Sequence, residues 1–150
     1  MSSQKPTYQD ADLLLRVYEL RRETLMRTSR DAINGFWPKS YDDVKAYSAP
    51  GHPVNAAWRQ VTSYWEMVFG MAHHGIVASD FWIENNGEGL FLFAKVAPYL
   101  NEIRAEGSPR SFQHLEWAAT QTDTGKQYFE MLQGFVQKRQ IGRASCRERV

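Results

Sequence analysis

The strongest constraint on the fold is a single stripe of apolar side chains in the middle of the chain. Val54, Trp58, Val61, Trp65, Val68 and Ala72 alternate steps of four and three residues. That spacing brings each of them back to the same helical face and makes a seam about five turns long. Pro53 suits the first turn of such a helix, and Gly75 is placed to close it at the position where the backbone turns left-handed. Two tryptophans on one seam are costly to leave in water, so other helices must wrap this one.

The flanking segments also read as helices. Thr7 with Asp10 resembles a capping box opening a helix that runs to Ile33, with Tyr8, Ala11, Leu14 or Leu15, Tyr18 and Leu25 on its apolar face. Asn34-Gly35 stops it, and Pro38 keeps Trp37 out of the helical region. Ser40 and Asp43 cap a short helix carrying Tyr41, Val44 and Tyr47, and the loop from Ala49 to Pro53 follows. Ser79 caps a segment from Asp80 to Glu84. The run from Leu90 to Ile103 is apolar nearly all round, which predicts a helix sandwiched between others and kinked at Pro98. A β-hairpin over Asp80 to Ala94, with FWIE and LFLF paired around NNGEG, is the rival reading, because Asn-Gly is a hairpin signal. Helical spacing that continues past hairpin length favours the helix. Ser108-Pro109 starts a further helix with Phe112, Leu115 and Ala118 or Ala119, and the last carries Tyr128, Phe129, Leu132, Phe135 and Val136. The expected fold is all-α, an irregular bundle of five or six helices around a central Trp-rich core helix.

A chain of 150 residues that is 43% hydrophobic can bury one core, so residues 1–140 are expected to form one helical domain. Met67 to Ser79, which no stretch without charge exceeds in length, is too short to span a membrane. The first residues lack the apolar region of a secretion signal, so a cytoplasmic location is expected. Between Asp10 and Asp31 five arginines face five acids, which argues against a nucleic-acid surface. The closing run from Ile141 to Val150 reads over all ten residues as the translation of a widely used short-read sequencing adapter. It is expected to be a non-native tail; removing it takes the formal charge from +1 to −1. The sole cysteine, Cys146, lies within it.

Chemistry has few footholds. Glu66 and Glu88 sit in apolar segments, but neither is followed three residues on by the histidine that di-metal helical bundles use. Each is a candidate ligand or general acid, with the bland alternative that it caps a neighbouring helix or bonds an aromatic group. His73 and His74 are adjacent and point about 100° apart on a helix, where a last-turn position is favoured simply by the helix dipole. Trp58 and Trp65 could line an apolar ligand pocket or simply fill the core. No phosphate loop, dinucleotide fingerprint or metalloprotease motif occurs, so no cofactor and no metal are expected.

The segments YQDADLLLRVYELRRE, VTSYWEMVFGMAHHGIV and FWIENNGEGLFLFAKVAPYLNEIR resemble a group of short bacterial helical proteins known only as a domain of unknown function. The resemblance covers most of residues 8–105 and implies an all-helical fold without implying any activity; some similar proteins carry an N-terminal membrane helix, which is not expected here. The expected function is that of a non-enzymatic interaction or regulatory module, with a protein partner or a second copy of the chain as its target. The alternative is a small-ligand sensor or small enzyme using Glu66, Glu88 or the His73-His74 pair.

Overall fold

A computed structural model describes the backbone of residues 4–148 and the side chains of residues 4–141. Among these residues the chain is all-helical, with α1 (Tyr8–Arg22), α2 (Thr24–Asn34), α3 (Tyr41–Ser48), α4 (Asn55–His73), α5 (Ser79–Glu84), α6 (Gly87–Val96), α7 (Leu100–Glu106), α8 (Gln113–Gln121) and α9 (Asp123–Glu148). That exceeds the five or six helices expected, because the chain breaks between α5 and α6 and at two further places. Glu23 leaves the helical region at φ −56°, ψ 143° and its carboxylate accepts the amides of Leu25 and Met26, so the first helix is cut in two. Pro98 ends α6 in a 3-10 turn over Ala97–Tyr99, and α7 restarts from there.

The capping box at Thr7 and Asp10 is present, with both reciprocal bonds formed. The end of α4 is also as expected: Gly75 adopts φ +75°, the Ile76 amide reaches the Met71 carbonyl, and the Gly75 amide reaches that of Ala72. These two bonds make a Schellman motif. The hairpin reading is overturned. Asn86 is fully buried between α5 and α6, donates to the Trp82 carbonyl at 2.8 Å and accepts from Arg21, so Asn85-Asn86-Gly87 links two helices.

Trp58, Val61, Trp65, Val68 and Ala72 are all buried on α4, but the core is not that helix's alone. Nearly every residue of α6 from Gly89 to Val96 is buried as well, and Trp82 of α5 donates its indole N–H to the Val68 carbonyl at 2.7 Å. α4 packs mainly on α2 and α8, and α6 on α9. α1 lies against α2, and the buried Val17 is tied to α4 by the Tyr64 hydroxyl, which donates to the Val17 carbonyl at 2.6 Å. Burial pushes that phenol up to about 12. The stripe predicted to be the apolar face of the first helix is split: Leu14 packs against the core and Ala11 is half-buried, whereas the other members face outward. Tyr8 is 95%, Leu15 61%, Tyr18 44% and Leu25 62% exposed, because the first three lie off the side of α1 that carries Leu14 and Val17 and Leu25 belongs to α2.

Candidate ligand-binding cleft

α3 (residues 41–48), the first half of α4 and the segment from α7 to the start of α8 line an open cleft of about 820 Å³. Its apolar wall is built by Val44, Trp58, Ile103 and Phe112, of which Val44, Trp58 and Phe112 are at most 6% exposed. Edge-to-face contacts hold Trp58 against Phe36 at 5.5 Å, Tyr47 at 6.2 Å and Phe112 at 6.4 Å. A tryptophan so wedged is a fixed surface. Phe112 adopts the left-handed region at φ 59°, ψ 25°, which costs a residue with a Cβ about 1–2 kcal/mol. That strain turns the chain from the 108–112 loop into α8 while placing the Phe112 ring in the wall.

The rim is charged. Tyr41 donates to Glu106 at 2.7 Å and Lys45 pairs with the same carboxylate at 3.3 Å, which together hold Glu106 below the usual carboxylate range. Arg59 and Arg110 also line the cleft, and neither guanidinium has a partner among the described residues.

Of the residues singled out in the sequence, Trp58 and Glu66 line this cleft, whereas Trp65, fully buried, is core. Both carboxylate oxygens of Glu66 are taken. They accept the backbone amides of His114 and Leu115 at 3.2 and 2.9 Å, so Glu66 caps α8, whose own N-cap residue supplies no side-chain bond. Glu88 is bound elsewhere. It is gripped by the Arg30 guanidinium through two nitrogens and touched by Asn34, which ties α6 to α2 and raises the Arg30 pKa. The two carboxylates share neither a partner nor a pocket.

His73 and His74 close α4 but do not act as a pair. His73 Nδ1 lies 2.9 Å from His114 Nδ1, and its ring stacks on Trp117 at 4.5 Å with 9° between planes. His74 faces His114 at 5.4 Å. One proton must lie between the two Nδ1 atoms, and a second would repel it. Burial first, then the charges of His114 and His74, lower the His73 pKa from its ordinary value. A lowered folded value means the unfolded chain takes the proton first, so this contribution is intact above about pH 6.5 and is lost as the pH falls through the folded value. Thermal melts should accordingly show a lower Tm at pH 5.5 than at pH 7.5, with part of that drop removed in His73→Gln. A variant with the unchanged slope would dissociate the histidine contact from stability.

Sequence reasoning missed His114, because no short-range pattern relates residues 41 positions apart. It also missed Lys95, which is only 1% exposed. Its ammonium donates to the Asn34 carbonyl at the end of α2 and sits 4.2 and 4.5 Å from the Trp37 and Phe91 rings. A lone lysine inside an apolar helix was the available signal. Buried ammonium groups require such partners.

The arrangement is thus that of an all-helical domain with an apolar cleft and a partly unpaired cationic rim. The chain belongs to the family described as Domain of unknown function (DUF4760), which it matches over residues 6–122. No curated protein and no solved structure matches the chain. Among the described residues no helix is long and apolar enough to cross a membrane.

Proposed function

We propose that the protein is a non-enzymatic regulatory module that acts by holding a small ligand in the cleft beside Trp58. The observation that carries this reading is the cleft itself: a volume of about 820 Å³ falls within the range of small-molecule sites, and the packed side chains of Trp58 and Phe112 fix the shape of its floor. The state of the acids supports a binding role over a catalytic one. Glu66 spends both oxygens on amides of α8 and Glu88 is clamped by Arg30, so neither is presented as a general acid or base.

Indole resonances give a direct test. An apolar fragment entering the cleft should shift the Trp58 indole N–H in a heteronuclear NMR spectrum. The Trp82 indole, bonded internally to Val68, should stay in place. Fragments that leave Trp58 unmoved, or move all tryptophans together, would overturn the reading.

A further inference from the structure

We propose that the cleft selects an organic anion, a carboxylate attached to an apolar body, and that Arg59 and Arg110 hold its charge. The inference rests on the cleft being a ligand site and adds the chemistry of the ligand. It comes from following every charge on the lining to its partner. Lys45 is matched by Glu106, and Glu106 by Lys45 and Tyr41. Glu66 directs its charge at the His114 and Leu115 amides, where a helix start welcomes a carboxylate. Arg59 and Arg110 remain, exposed and with no counter-ion among the described residues.

Two unpaired guanidiniums on the rim of a cleft that Ile103 and the edges of Trp58 and Phe112 line pose a specific complementarity. A guanidinium presents a planar fork that fits a carboxylate through two parallel hydrogen bonds, and it is less strongly hydrated than an ammonium, so it surrenders water readily. The apolar part of the ligand would lie against Trp58, Ile103 and Phe112, while its charge stays at the rim. An uncharged ligand of equal shape would gain the wall and leave both arginines unused. A bare inorganic anion would gain the arginines and leave the wall in water.

The test uses the full chain and two probes of nearly equal shape, 1-naphthylacetate and its uncharged amide, 1-naphthylacetamide. Affinity is read by calorimetry and location by the Trp58 indole resonance. The anion should bind about tenfold more tightly than the amide at low salt, since one charge-assisted pair is enough for such a ratio. Added salt should narrow the gap. In the Arg59→Gln/Arg110→Gln double variant the two probes should bind alike, with Tm unchanged because both side chains are exposed. Equal affinities in the natural chain with Trp58 shifting, or a preference that survives in the double variant, would overturn the anion assignment and leave the cleft reading standing. No Trp58 shift with either probe would overturn both.

Discussion

Gly125→Ala should lower the melting temperature by about 10 °C, whereas Gly134→Ala, nine residues further along the same helix, should raise it by about 2 °C. The two glycines of α9 look alike in sequence and differ in what surrounds them. A Cβ on Gly125 would overlap the Ala118 carbonyl of α8 and come within 2.5 Å of the Thr122 hydroxyl. Neither neighbour can yield easily, because the Thr122 hydroxyl donates to the Ala118 carbonyl at 2.7 Å and accepts the Gly125 amide at 2.9 Å. Overpacking against backbone costs about 3 kcal/mol. At about 2–4 °C per kcal/mol for a chain of this length, that is a fall of about 10 °C. Gly134 has nothing within 4 Å of the same position, so alanine there adds no clash and gains about 0.5–1 kcal/mol of helix propensity. Calorimetric or dichroic melts of both variants decide the matter. A Gly125→Ala protein that melts with the parent would mean that α8 and α9 do not approach as closely as described.

Glu66→Ala should destabilise the protein by about 2–3 kcal/mol, the range for leaving buried amides without a charged acceptor. Most helices carry their own cap within four residues. α8 instead begins at a left-handed phenylalanine with no capping bond and receives its acceptors from α4, 48 and 49 residues away in sequence. Glu66→Gln keeps one acceptor oxygen and should lose about 1 kcal/mol. Hydrogen exchange gives the diagnostic readout: the His114 and Leu115 amides should lose protection in Glu66→Ala well before the amides of α4. Uniform loss across both helices would point to general packing damage instead of a lost cap.

These two sites show where sequence reading reaches and where it stops. The α4 stripe and its Gly75 closure were legible because both are short-range: period and backbone handedness are written in adjacent residues. The break at Glu23 was not, since glutamate favours helix and only its side chain turning back onto Leu25 and Met26 reveals a cap. The apolar face of α1 was legible only in part, for another reason. Periodicity identifies an apolar face but not its neighbour, and α1 carries apolar residues on two sides, of which Leu14 and Val17 meet the core and Leu15 does not. In the cleft, Trp58 and Glu66 were named from the sequence, while Arg59 and Arg110 were not. An exposed arginine becomes informative only when its surroundings show which charges are already matched.

The family match ends at residue 122, just where α9 begins. Yet α9 is no appendage. Phe129 packs on Phe93 at 5.3 Å, Phe135 approaches Trp37 and Phe91, Val136 is 4% exposed, and Arg139 lies over Trp37 at 4.2 Å. Gln140 donates to the Pro38 carbonyl across 102 residues of sequence. The span matched to the family and the span that completes the bundle therefore differ in length. Cut at Thr122, the domain would be a vessel without its lid: the flank carrying Trp37, Phe91 and Phe93 would lie open, and the cheapest way to cover it would be to borrow a helix from another molecule.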